Sequence, residues 1–470
     1  MQWYQFLTDQ QVAQVHETSV QILETVGIDF RYPPALEILK KGGAKVDGER
    51  VFFPSQLVEA QIKKAPAEFT LYGRNADVDV VLGGDHMAYI PGYGAPFVTD
   101  LDNGRQEGSL QDFENFVKLT QASPHQDICS GMVIEPNDVP HETRHARMIY
   151  AAMKYSEKPF MGSAMGAQGA KDSIQMASIL FGSQDQLAEK PRMISILCSL
   201  TPLVYDERML GAIIEYARAG QPQLISSLVI AGATGPTTMA GTLALQNAEI
   251  LAGIVLTQLV REGAPVIYSG ASSNAEMRSG ALTIGSSEMA MLAAATAQMG
   301  RFYKLPARCG GAVSDAKSPD AQAAYESMMS LLMAHVSGAN IVLHAAGVLE
   351  SYNCMSYEKF IMDDEICGMV KRIRKGYRVN ADTLGLDVIK EAGPGGHFLD
   401  KDHTLTHFRT EFYQPKLFDR DNFESWFAKG SPHSMETASK KFKQILEAYQ
   451  APELPADVDR DLQKFIAKVG

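Results

Sequence analysis

Beyond about residue 125 the chain alternates between two hydrophobic patterns. Apolar, β-favouring runs recur every roughly 30–40 residues: "ICSGMVI" (128–134), "PFMGSA" (159–164), "MISILCS" (193–199), "LISSLVI" (224–230), "PVIYSGA" (265–271), "ARCGGAV" (307–313) and "IVLHAAG" (341–347). Between successive runs the apolar positions return at helical spacing, as expected of βα units feeding a parallel sheet. Apolar residues at consecutive positions suit strands covered on both faces. With "HMAYI" (86–90) as an eighth strand, the pattern predicts a (β/α)8 TIM-type barrel over residues 76–375. An open doubly wound sheet is the alternative. It is disfavoured because no run leads into a G-x-G-x-x-G or phosphate loop.

The flanks read differently. Residues 1–75 predict an N-terminal helical lead-in, where Thr8 and Gln11 form a capping box and Val12, Val15, Val20, Leu23 and Val26 follow at helical spacing. "FTLYGR" and "VDVVLG" then add a short β-rich stretch. After residue 375 the rhythm stops. The stretches "RVNADTLGLDVIKEAG", "NFESWFAKG", "SMETASKKFKQILEAY" and "DRDLQKFIAKV" predict helices of a C-terminal extension (376–470) packed on the barrel. They are interrupted by the irregular "PGGHFLDKDHTLTHFRTEFYQPKLFDR".

Charge narrows the classes of partner. A net charge of −12, from 43 basic and 55 acidic residues, argues against nucleic acid or an anionic membrane. The beginning of the chain has no basic region followed by an apolar stretch, so no signal peptide is expected. The uncharged stretch 222–248 is broken by "IAGATGPTTMAG" and reads as strand, loop and helix start, not as a membrane span. Five widely spaced cysteines without a C-x-x-C pair suit reduced thiols in a cytoplasmic protein. Self-association into a homo-oligomer is the general expectation for a barrel of this size.

Several runs end in small residues, "GSAMGAQGA", "IAGATGPT", "SGASSNAE", "CGGAVSDA" and "HAAG". Tight turns account for any one of them, but together they predict an open mouth at the carboxyl ends of the strands. No metal site is expected, since His344 and Cys354 stand isolated along the chain. In the loop "CGGAVSDAKSPDAQAAYE", Ser314 and Asp315 with Lys317 offer acid–base groups. Ser318 is the expected N-cap of the following helix, with Pro319 at its first position. Tyr89, Tyr93 and Phe97 near one strand end, and His344 and Tyr352 near another, offer aromatic faces of the kind that attract a quaternary ammonium. Core packing is the plainer alternative for each.

"GGAVSDAKSPDAQAAYE" followed by "SGANIVLHAAGVLE", together with "AGTLALQNAEILAGIVLTQL", "GSSEMAMLAAATAQM" and "DRDNFESWFAKG", resembles the trimethylamine:corrinoid protein methyltransferase family over nearly the whole chain. That resemblance implies a (β/α)8 barrel. In the family's archaeal trimethylamine enzymes the residue before Ser-Asp-Ala-Lys is pyrrolysine, and here it is Val313. The sequence is therefore similar to the non-pyrrolysine branch, whose members demethylate quaternary amines such as glycine betaine, proline betaine and carnitine. The resemblance implies methyl transfer to the Co(I) corrinoid of a separate corrinoid protein, with no cofactor tightly bound by this chain. It assigns the catalytic loop to Val313, Ser314 and Asp315, and the walls of the substrate space to Gly310 and Gly311. Among the residues read beside it, His344 is expected to hydrogen-bond a substrate carboxylate, and Tyr93 or Tyr352 to supply an aromatic face. Arg278 and Arg308 are candidates for the carboxylate, Arg308 lying at the base of its strand if Gly310 and Gly311 lie at the top.

Overall fold

The computed structural model describes residues 3–469. Its centre is a mixed α/β arrangement around seven parallel strands: β1 (Ala88–Ile90), β2 (Phe160–Met161), β3 (Met193–Cys198), β4 (Gln223–Ser227), β5 (Val266–Gly270), β6 (Ala307–Gly310) and β7 (Ile341–Leu343), in sheet order β1-β7-β6-β5-β4-β3-β2. Each falls inside a run expected from the sequence, except that β4 begins one residue earlier, at Gln223. The run 128–134 differs: it forms no continuous strand, and Cys129 makes an isolated parallel bridge to Phe160. Its backbone nevertheless reaches both sheet edges. Cys129 donates to Pro159 beside β2, and Asp127 and Ile128 donate to Tyr89 of β1. Gly131 marks where this chain leaves the ladder, since a Cβ there would lie 2.9 Å from the Cβ of Met161.

Alternation along each strand separates two faces. Ile90, Met161, Ile194, Leu224, Ile267, Ile341 and Leu343 share one apolar cluster with Leu71 and Leu82. The last two belong to an antiparallel hairpin, Glu68–Leu71 with Val80–Gly83. Tyr72 and Arg74 of this hairpin donate to the carbonyls of Pro191 and Glu157, just before β3 and β2, so the hairpin closes the amino-terminal end of the sheet. The other face carries Tyr89, Cys309 and Val342, packed against Ala293, Ala297, Leu331 and Ala334 of the covering helices.

Those helices are α1 (His141–Tyr155), α2 (Gly166–Phe181), α3 (Glu207–Arg218), α4 (Met239–Val260), α5 (Ser287–Tyr303), α6 (Ala321–Val336) and α7 (Tyr357–Lys375). Helix α4 is long and apolar enough to span a membrane, yet 89% of its most apolar window is buried inside the fold. It is a core helix. The capping box of Thr8 and Gln11 opens the helix Asp9–Gln21, which packs on α4. That helix stops short of Val26, which is exposed, because the chain turns through one wide turn over Ile22–Val26.

Past α7, helices Ser434–Glu447 and Ala456–Val469 pack on the body, the first against α7 and the second against α1 and α2. The stretch expected to be irregular contains a further helix, Asp402–Glu411. The five cysteines are free thiols.

Candidate active site

Register brings four small or polar side chains to one level of the sheet. Cys198 pairs with Ser226, Ser226 with Ser269, and Ser269 with Arg308. Alternation turns Arg308 to the same face as Gly310 and Ile341, the face that carries the apolar plug nearer the amino-terminal end. Ser269 Oγ donates to Ser226 Oγ at 3.1 Å.

Arg308 sits in the middle of this level, only 1% exposed. Its Nη1 makes a single long contact, 3.4 Å, to the Gly270 carbonyl. Its Nε and Nη2 meet no protein acceptor. Burial lowers its pKa, and its charge is felt by its neighbours: it adds to the lowering that burial imposes on His344 and offsets part of the rise that burial imposes on Tyr352. A buried guanidinium with two open donors is costly unless something anionic completes it.

His344 follows β7 directly in a left-handed conformation, φ 65°, which is rare for a residue with a Cβ. Its Nδ1 accepts from the Tyr93 backbone N–H at 3.2 Å, which leaves the proton of the neutral ring on Nε2. Burial, reinforced by Arg308, holds its pKa well below the usual value, so the ring is neutral at physiological pH. The Tyr352 ring lies 4.5 Å from it, centroid to centroid, and the Tyr352 hydroxyl is buried without a partner. Burial raises the pKa of that hydroxyl to about 12. Tyr93 is half-buried against the apolar plug.

The loop after β6 is stitched to its neighbours. Asp315 accepts from the backbone of Ile284 and Gly285 at 2.8 and 3.0 Å and from Ser351 Oγ at 2.7 Å. Ser314 Oγ and the Asp315 N–H both donate to Glu326 of α6. Both residues therefore hold the loop. Beneath them the buried Lys359 donates to the Ala312 carbonyl, Ser327 and Asp363, while Asp363 accepts from the Gly347 N–H. Val313 is fully buried in the main hydrophobic core. A Cβ on Gly311 would collide with Val342 Cγ1 and lie 3.2 Å from Ala345 Cα and the His344 carbonyl, so glycine is required for close approach. The helix cap is Asp320, which accepts from Gln322 and Ala323; Ser318 instead donates to Asp320. Either residue type caps well, and the turn places the second one on the helix axis.

Two expectations are corrected. Arg278 does not join this group: it is exposed in the turn between Ser273–Ala275 and Leu282–Thr283, so the hairpin carries it into solvent. Arg308, read as the base of its strand, reaches the polar level that lies one inward-facing residue below Gly310. Three members of that level, Cys198, Ser226 and Ser269, went unread, because the only signal was a small residue near the end of each strand. His141-Glu142-Thr143-Arg144-His145 has the HExxH spacing of a zinc peptidase, also unread. His141 is exposed at the start of α1, and His145 Nε2 pairs with Asp172 of α2 at 2.8 Å. Among the described residues no three His, Cys, Asp or Glu side chains converge there. A separate groove of about 500 Å³, lined by Phe6, Leu7, Val15, Met239 and Met291, runs along the outside of α4 and α5 and holds no titratable group.

The fold and this geometry define an α/β protein that presents a buried cation, a neutral histidine and two aromatic rings near the carboxyl ends of parallel strands, where such folds bind small molecules. Residues 1–469 match the model of the trimethylamine methyltransferase (MTTB) family, and the chain belongs to that family. It is 50% identical to a glycine betaine methyltransferase of Desulfitobacterium hafniense (strain Y51), over 99% of this chain and 97% of that protein. It is 31% identical to a proline betaine:corrinoid methyltransferase of Eubacterium limosum, over 98% and 97% of the two chains. Its fold is similar to the crystal structure of the Methanosarcina barkeri monomethylamine methyltransferase, with a TM-score of 0.52, 12% identity and 94% and 93% coverage.

Proposed function

We propose that this methyltransferase takes a methyl group from glycine betaine and passes it to the corrinoid of a separate protein. The carrying observation is Arg308, a buried guanidinium whose Nε and Nη2 lack protein acceptors. A carboxylate is the group that such a fork binds in two parallel hydrogen bonds. Half of all residues are shared with a glycine betaine methyltransferase, which supports the same substrate here. Names of other relatives support a corrinoid partner.

In this reading Arg308 holds the carboxylate, and the neutral His344 donates to it from Nε2. The rings of Tyr93 and Tyr352 face the trimethylammonium end, which they attract through their π-faces. The corrinoid, when docked, supplies a cobalt nucleophile strong enough to take a methyl group from a quaternary nitrogen. The C–N bond breaks with its electron pair remaining on nitrogen, so dimethylglycine departs with a neutral amine and no proton has to be delivered. That is why Val313, which has no acid–base chemistry, suffices at its position, and why Ser314 and Asp315 serve as positioning residues. What remains for the protein is alignment and exclusion of water. Gly310 and Gly311 let the loop after β6 pack closely against Met289 and the β7 segment, which fixes the wall of the substrate space. We read the central sheet as a (β/α)8 barrel closed by segment 127–130, with residues 1–75 and 376–470 packed around it in a cytoplasmic protein.

The test mixes purified protein, a reduced corrinoid protein and each of glycine betaine, proline betaine, carnitine and trimethylamine, and follows the demethylated amine by mass spectrometry. Dimethylglycine formed faster than the other products supports the reading. Preference for another amine overturns the substrate, and binding without demethylation overturns the enzyme.

A further inference from the structure

Exposed apolar side chains are concentrated in one segment. Eleven of the twenty large hydrophobic residues exposed among the described residues lie between Tyr377 and Phe427. This arm contains four helices, Ala381–Leu384, Leu386–Ala392, Asp402–Glu411 and Phe423–Ala428, none of which buries a single residue. It is fastened by polar contacts with α7: Glu365 accepts from the Tyr413 hydroxyl and from the Lys416 and Leu417 N–H groups, and Arg372 donates to the Glu411 carbonyl. Soluble surfaces rarely leave this much apolar area uncovered. Leu386, Leu399, Leu405, Phe412, Phe423 and Phe427 are 58–84% exposed.

We infer that the arm, residues 377–430, is the dimerisation surface of the protein, and that its occupant is the arm of a second copy. Three observations select this occupant. First, area: at 150–250 Å² for a large side chain, the exposed apolar part of the eleven amounts to on the order of 1,000 Å² per copy, above the ~800 Å² per partner of a stable interface. Second, charge: residues 377–430 hold 7 basic and 9 acidic residues, interspersed, so two arms related by a two-fold axis can set opposite charges against each other. Third, place: α7 runs back from the carboxyl to the amino-terminal end of the strands, where Arg374 meets the Asp85 carbonyl just before β1. The arm therefore begins at the end of the sheet away from Arg308 and His344. A methyl-accepting partner has to reach those residues and leave again, which favours a smaller and wetter contact than this one.

The test is the mass of the full-length chain in solution, by light scattering after size exclusion at 1–50 µM. The wild type is expected at twice its 51.3 kDa chain mass. The double variant Phe412→Glu/Phe427→Glu is expected at the single-chain mass, its self-association weakened at least 100-fold, with its circular dichroism retained. In Leu399→Cys, which adds no charge, a bismaleimide is expected to link two chains into one band. A monomeric wild type, a dimer that survives the charged variant, or a Leu399→Cys protein that fails to cross-link would each overturn the inference. None of these results depends on methyl transfer, so this inference and the substrate reading fail separately.

Discussion

Replacing Arg308 by Met separates a binding residue from a structural one, because the two roles predict opposite signs of stability change. In the free protein the Arg308 guanidinium has one contact of 3.4 Å and two unpartnered donors in a buried setting. Removing an uncompensated buried charge in favour of an apolar side chain of similar length is expected to stabilise the fold by roughly 1–3 kcal/mol. The same change removes two charge-assisted hydrogen bonds to the substrate carboxylate. At about 1.5–3 kcal/mol each, their loss weakens binding by about 3–6 kcal/mol, or roughly two to four powers of ten in Kd. Urea unfolding of the ligand-free protein gives the first quantity and calorimetric titration with glycine betaine the second. Choline, which lacks the carboxylate, is expected to bind wild type and Arg308→Met alike. A variant that unfolds more easily than wild type yet binds glycine betaine unchanged would refute the reasoning and make Arg308 a structural residue.

Three further outcomes follow from the same geometry. Asp315→Ala strands the N–H groups of Ile284 and Gly285 and the Ser351 hydroxyl, and is expected to cost about 2–4 kcal/mol in urea unfolding and to raise KM more than it lowers kcat. Gly311→Ala pushes a methyl group into the stiff Val342 side chain and against the backbone of Ala345 and His344, whereas Gly310→Ala meets only the flexible end of Met289; thermal melts are expected to show a loss of about 1–3 kcal/mol for the first and under ~1 for the second. Burial, with Arg374 and Lys371 nearby, lowers the His335 pKa to about 3, so the unfolded chain takes up a proton below about 6.5 that the folded chain refuses. Stability therefore falls as pH drops through that window, and His335→Gln is expected to remove about 2 kcal/mol of the difference between pH 7 and pH 5.

The strands were legible because both of their faces are buried, which leaves continuous apolar runs that no surface helix needs. The polar level was only half legible. Arg308 and Gly310 share a face by simple alternation within "ARCGG", but Cys198, Ser226 and Ser269 come from strands tens of residues apart, and register alone unites them. Arg278 looked better placed than Arg308 in sequence, since nothing local tells that the hairpin around it points into solvent. His344 and Tyr352 were readable as aromatics near strand ends, whereas their contact depends on backbone angles that no side chain announces. The helix Asp402–Glu411 escaped notice because its apolar residues bury nothing and so follow no core-facing stripe.

Glu350, Ser351 and Tyr352 lie consecutively in the left-handed region, with φ of 52°, 53° and 76°, and His344 joins them at 65°. Each such residue costs on the order of 1–3 kcal/mol in an unconstrained chain. The contacts of Ser351 with Asp315 and Ser314 hold the run in place. The torsions that aim Tyr352 are thus decided when the chain folds, not when a ligand arrives. A methyl group that must lie in line with an incoming nucleophile then finds its direction already set, and the high effective molarity of the reacting partners becomes a property of the native state itself. Substrate range in such a cradle is expected to change by exchanging rings on a fixed backbone, and not by reshaping the loop that carries them.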